Sequence, residues 1–268
     1  MPALVLLGAI VLVTAVAGCS SSKSSKSSPN KTSSTTVSSA VSQACNAWIE
    51  VEKVASSGPG GPDEQPDAAA VKAFATTLAT PVDAFTGLAP AAVKADATTI
   101  QGIVHAATQG QNLDQLDPSS PALATPLTGV EKWVHTACPF TKLNVQAVDY
   151  GYKGLPATVR AGKVSLELTN TAMDEEHELS ILRIKDGSDV TSDELVKALV
   201  SDPNGAEQKY GDKVDFVADV SAAHDKTNYT TTDLTPGDYV AVCFLPLHGQ
   251  ENGAPHVSKG MIQAFKVA

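Results

Sequence analysis

Basic residues are scarce in this chain and aromatic ones scarcer. Lys and Arg number 19 against 29 Asp and Glu, for a formal net charge of −10 and a pI near 5.0, and no stretch concentrates the bases. Phosphate binding needs a basic face, so nucleic acid is excluded as a partner. Aromatics make up 5% of a chain that is 43% hydrophobic, which leaves globular cores built from Ala, Val and Leu and argues against disorder overall. There is no phosphate-cradling Gly loop, no nucleophile elbow and no zinc-protease helix motif, so no enzyme activity is expected. The apolar run Pro2–Gly18 is too short for a comfortable membrane span. Sulfur is sparse as well, with four Cys and three Met.

At 268 residues the chain has room for two domains. The uncharged run ends in Val16-Ala17-Gly18-Cys19 and is followed at once by Ser20-Ser21-Ser22, which reads as a secretory signal over residues 1–18. That ending resembles the bacterial lipobox. The resemblance implies acylation of Cys19 by a palmitate-type lipid, export, and a protein held on the extracytoplasmic face of the cell membrane. Residues 19–39, almost all Ser, Thr and Lys beyond Cys19, cannot bury enough apolar surface to order themselves and form a disordered tether. The tether is expected to be a solvated flexible linker, with attraction of Lys23, Lys26 and Lys31 to anionic head groups, about 1 kcal/mol each, as its functional version.

The expected fold class is α plus β. Residues 40–143 carry apolar positions at helical spacing: Val41, Cys45, Trp48 and Val51, then Val71, Phe74 and Leu78, then Val93, Ala97, Ile100 and Val104, and finally Leu123, Leu127, Val130, Val134 and Cys138. Thr80-Pro81 and Ala89-Pro90 are expected as helix starts, and the product is an antiparallel helical bundle. Cys45 and Cys138 are the natural disulfide pair in an oxidising compartment. His105 and His135 have no ligand-spaced neighbours and are expected to be surface or packing residues. After Pro139 the period becomes alternating: Val145–Leu155, Ala157–Arg160, Val164–Thr169, His177–Ile184, Val214–Val220, Tyr239–Phe244 and Met261–Val267 predict the strands of a Greek-key β-sandwich over residues 144–268. A helix is expected over Thr191–Val200 and a turn at Asp202-Pro203-Asn204-Gly205.

The stretch Thr235–Ala268 gathers Cys243, His248, His256 and Met261 between two alternating runs. Thiolate, thioether and imidazole together are soft ligands of the kind that hold a single type 1 copper ion. Leu234-Thr235-Pro236-Gly237-Asp238-Tyr239 leading into Cys243, then His256-Val257-Ser258-Lys259-Gly260-Met261, and upstream Leu166-Glu167-Leu168-Thr169-Asn170 before His177 resemble three motifs of the cupredoxins. The resemblance implies a cupredoxin-like sandwich, copper as cofactor, His177, Cys243 and His256 as ligands, Met261 as the weak axial group, and one-electron transfer with a redox partner protein. Among the neighbouring residues, Asn170 is expected to hydrogen-bond near the Cys sulfur and Glu178 to contact the rim.

Leu245–Pro255 departs from the family, whose Cys and His lie only a few residues apart. Either this insertion loops out and His256 ligates, or His248 is the ligand and His256 is exposed, or the loop has destroyed the site. His256 is preferred for its spacing to Met261. Copper sequestration or delivery, and a metal-free recognition module on the cell surface, are the alternative functions. Asp174, Glu175 and Glu176 form an acidic run expected as solvated loop, with steering of a cationic partner as its functional version. His224 beside Asp225 is expected at the surface, and the sequon at Asn228 carries little weight.

Overall fold

In the computed structural model, residues 38–59, 66–250 and 253–268 are described. The signal, Cys19 and nearly all of the tether lie outside them. No helix among the described residues is long and apolar enough to cross a membrane. The described residues form one compact unit of mixed helices and sheets.

Four helices come first: α1 (Ser39–Ala55), α2 (Ala68–Leu88), α3 (Lys94–Thr108) and α4 (Pro121–Ala137). The Ser38 side chain caps α1 by accepting from the Val41 N–H, and Asp67 caps α2 from Ala70. The helical periodicity buries Cys45, Trp48 and Ile49 of α1, Leu78, Val82 and Phe85 of α2, Ile100 and Val104 of α3, and Val130 and Val134 of α4 in one core. Trp48 meets Phe85 edge-on, ring centroids 4.9 Å apart. A disulfide joins Cys45 to Cys138, 93 residues apart in sequence, with Cα atoms at 5.7 Å.

Proline misled the sequence reading here. Pro81 does not start a helix but lies inside α2, and Pro126 lies inside α4. The missing N–H of Pro81 leaves the carbonyl of exposed Thr77 without a helical partner, and water can replace it. Burial of Leu78, Val82 and Phe85 on either side holds the helix together. Pro90 precedes a turn that accepts the Val93 N–H, and α3 begins only at Lys94.

The second half makes two sheets, one ordered β2-β1-β4-β7 and the other β3-β9-β8-β5-β6. The strands are β1 (Thr141–Val148), β2 (Gly151–Lys153), β3 (Thr158–Val159), β4 (Gly162–Asn170), β5 (His177–Ile184), β6 (Val214–Ala222), β7 (Thr227–Leu234), β8 (Gly237–Val242) and β9 (Ile262–Val267). The core between them is Val, Leu and Ala, with Tyr239 stacked on Phe265. The single strand expected over Val145–Leu155 is a hairpin. Asp149-Tyr150, with Tyr150 at φ +54°, folds β2 back on β1.

Strand β7 was not anticipated because TNYTTTDL shows no apolar alternation. Thr230 and Thr232 stand opposite Leu166 and Val164 of β4, where Val would be the ordinary choice. The opposite face, with Tyr229 and Thr231, meets the helices. Ser165, the partner of Thr231 in the ladder, lies 3.0 Å from His135 Nδ1 of α4, and Lys163 donates to Asn46 of α1. Two helices, α5 (Ser192–Ser201) and α6 (Pro203–Tyr210), follow β5. Thr191 and Glu194 form a capping box on α5. The turn expected at Asp202–Gly205 is the start of α6 instead. Asp202 accepts from the Gly205 N–H and Pro203 occupies the first helical turn, a pair of residues that serves turns and helix starts alike.

Two outcomes are expected for stability. Replacing both Cys45 and Cys138 by Ala should lower unfolding free energy by about 4 kcal/mol, as the chain-entropy cost of so long a loop returns, read from the denaturant midpoint. The second concerns Glu52 of α1, whose carboxyl is raised by burial and then by the nearby Asp219 charge from its ordinary 4.5 to about 8. Glu131 of α4 is raised well above the usual range for the same reasons, burial first and then Glu52 and Asp219. In such a case the unfolded chain loses its proton before the folded one, so stability is greatest at low pH and is lost as pH climbs toward the folded value. Melting temperature should fall between about pH 5 and pH 8, and Glu52→Gln should flatten that fall.

Candidate metal centre

Strand β8 pairs antiparallel with β5, Ser180 opposite Val242, and with β9, Val242 opposite Ile262. The start of β5, the end of β8 and the start of β9 therefore meet at one edge of the sheet. His177 opens β5, Cys243 follows β8, and Met261 precedes β9. His256 begins a 3-10 turn ending at Lys259, and Gly260 at φ +98° takes a left-handed conformation that turns the chain into β9.

These positions converge. His177 Nδ1 lies 3.0 Å from His256 Nδ1, and Cys243 Sγ lies 3.3 Å from the same His256 nitrogen. All three donor atoms fall within 4.8 Å of one another, and they are the group of this kind found among the described residues. Cys243 is fully buried and both imidazoles are 1% exposed. Met261 is fully buried in the same core, and its carbonyl accepts from the Cys243 N–H.

The insertion does not separate the ligands because it closes on itself. Pro246 bridges Pro255, the Leu247 N–H donates to Ala254, and the His256 N–H donates to the Leu245 carbonyl. The Val257 N–H reaches the Cys243 carbonyl. His248 points elsewhere: its side chain is 71% exposed, and Glu175 Oε1 accepts from its N–H at 2.6 Å and lies 2.8 Å from its Nδ1. Residues 251–252 of the insertion lie outside the described ones.

The acidic run before His177 is therefore only in part a solvated loop. Asp174 and Glu176 are exposed, whereas Glu175 is held between His248 and His256, its Oε2 being 3.3 Å from His256 Nε2. Burial would raise the Glu175 carboxyl, but the His248 N–H, and after it the neighbouring His256, keep it below its usual range. Tyr150 sets its ring edge against His256, centroids 5.5 Å apart. Nothing in the sequence marked Tyr150 or Glu175 out, since both depend on contacts between distant loops.

Asn170 does not approach the sulfur. It is fully buried and fastens the loop before His177, with Nδ2 donating to the Glu175 and Ala222 carbonyls and Oδ1 accepting from Ala172. The N–H facing Cys243 Sγ, at 3.4 Å, belongs to Glu178. The Glu178 carboxylate accepts from Ser180 and from the Phe244 N–H. His224 is partly exposed between Asp225 and the Ala172 carbonyl, His105 pairs with Asp83 at the surface, and His135 packs against Ser165.

Burial lowers His177 and His256, so both imidazoles are neutral and keep a lone pair. Burial pushes the Cys243 thiol up to about 12, against the pull of the N–H groups of Glu178 and Leu245. With protons on both Nε2 atoms, two nitrogen lone pairs and a sulfur point into one dry space; His177 Nε2 finds no hydrogen-bond partner, and His256 Nε2 has only the Glu175 carboxylate at 3.3 Å. Such a set is unfavourable to bury without an ion to bind. Two imidazoles, one thiol that a metal would deprotonate, and a neighbouring thioether fit a single type 1 copper.

No family model and no curated protein matches this sequence. Solved structures do. An auracyanin from the photosynthetic bacterium Roseiflexus castenholzii superposes on 48% of this chain and 97% of its own, with 17% identity and a TM-score of 0.30. Auracyanin A of Chloroflexus aurantiacus, a blue copper protein, covers 47% and 99% with 15% identity and a TM-score of 0.29. A multicopper oxidase covers 48% of this chain and 44% of its own at 12% identity, with a TM-score of 0.26. Scores this low leave the case for a metal centre resting on the donor atoms themselves.

Asn170→Ala should destabilise the chain by roughly 2–4 kcal/mol, because it strands two carbonyls and an N–H inside the protein. Urea midpoints read this loss, and amide exchange at Glu175 and His177 should rise with it.

Proposed function

We propose that this protein binds one copper ion through His177, Cys243 and His256, with Met261 as weak axial group, and exchanges electrons one at a time as a cupredoxin-like carrier rather than an enzyme. The convergence of two Nδ1 atoms and one sulfur within 4.8 Å carries this reading. Bound copper would supply the one-electron couple. The chain supplies the rest. Ladders on both sides of β8 hold Cys243 and His177 in place, the Glu178 N–H faces the sulfur, and the closed insertion keeps water from the imidazoles. The finer fold, a Greek-key sandwich joined to a helical bundle, is part of the same proposal. So are export, lipid anchoring at Cys19 on the extracytoplasmic face of the membrane, and a redox partner. The Val16-Ala17-Gly18-Cys19 ending and the disulfide expected of an oxidising compartment support export.

Copper sequestration or delivery is the second function, favoured by the burial of both imidazoles, which leaves no ligand edge at the surface for electron exchange. Titration with Cu²⁺ should produce an intense thiolate-to-copper absorption band, lost in Cys243→Ser and His256→Ala and kept in His248→Ala. A colourless protein without tight copper would overturn the copper assignment. A band that follows His248 instead would move the ligand. Voltammetry separates the two functions, since a carrier gives a reversible couple and a sequestering protein holds Cu⁺ without one.

A further inference from the structure

Away from the metal centre, α1 and α4 and the strands β6 and β7 line a cavity of about 820 Å³ that is partly open to solvent. Glu52, Glu131 and Asp219 line it, and none of the three forms an ion pair among the described residues. Glu131 is 8% exposed. Its carboxylate receives no hydrogen bond there either. Glu52 is half-buried, and Asp219 is exposed like three further acids of the wall, Asp117, Glu176 and Asp233. The one base of the lining, Lys53, is tied to Glu50.

A second observation comes from the opposite wall. Thr231 is 2% exposed and its hydroxyl has no partner. Its ladder partner Ser165 meets His135 of α4, and directly opposed residues share a face, so Thr231 faces the helices and the cavity. The ring of Tyr229, two residues away on the same face, and exposed Phe216 complete a wall that is part aromatic. A buried carboxyl and a buried hydroxyl without partners are costly unless something compensates them.

The chemistry of that compensation is constrained. A single metal ion needs its ligands within a few ångströms of each other, and among the described residues only His177, Cys243 and His256 meet that condition. The volume falls within the roughly 300–1,000 Å³ of small-molecule sites. Acidic and aromatic groups together suit a cation with an apolar body.

We propose that this cavity binds a small organic cation, an ammonium or guanidinium group on an apolar body, with Glu52, Glu131 and Asp219 as its counter-charges and Thr231 as a hydrogen-bond acceptor. A bound cation would lower the elevated carboxyls of Glu52 and Glu131 and so ionise them. Site and ligand are independent of the copper reading.

Calorimetric titration of the full chain with agmatine and with spermidine, in low salt, tests it. Saturable one-to-one binding of one of these probes is expected, at least tenfold weaker in Glu52→Gln and in Glu131→Gln, weaker in Thr231→Val, and unchanged in Cys243→Ser. Circular dichroism checks that the near-isosteric variants fold, and Thr231→Val keeps the test open if a carboxamide is not tolerated. The proposal is overturned if neither probe binds saturably, if binding is equal in all three cavity variants, or if Mg²⁺ displaces the probe at equal concentration.

Discussion

The backbone ladders on either side of β8 are the constraint on which the candidate site depends. Because β8 runs antiparallel to both neighbours, the end of one strand and the beginnings of two others must lie together. Three side chains far apart in sequence thereby become neighbours, in an interior made dry by Val, Leu and Ala. Neither the imidazoles nor the thiol could be held so closely on loops alone, since conformational entropy would disperse them.

The insertion between Cys243 and His256 shows how local closure protects such a site. A long loop has to return to where it left, and the hydrogen bonds of Leu245, Leu247, Ala254 and His256 make it do so at its base. At His248 it is tied down by Glu175, which lies beside His256 on its other side. A carboxylate next to the outer nitrogen of a ligating imidazole fixes ring orientation in metal sites generally.

The helical part has its own logic. Its core is closed by the disulfide and by Trp48 on Phe85, while the outward face of β4 and β7 gives α1 and α4 a polar surface to pack on through Ser165, His135, Lys163 and Asn46. A polar junction leaves space that apolar packing would have filled. The acidic cavity lies in that space, built by both halves and belonging to neither alone.

By itself the sequence determined the element types of most of the chain, the Cys45–Cys138 pair and the residues His177, Cys243, His256 and Met261. Helical and alternating periods are local, and soft ligands are recognisable by residue type. It missed β7, whose core positions are threonines, and misjudged Pro81 and Asp202-Pro203, where packing or capping outweighed a local preference. Only the tertiary structure brings His256, and not His248, beside His177 and Cys243, because that placement rests on how an insertion closes. The tertiary structure also placed Tyr150 and Glu175 beside the imidazoles and moved Asn170 from the sulfur to the loop. Which polar groups meet across distant loops depends on the packing of the whole chain, and no short-range pattern records it.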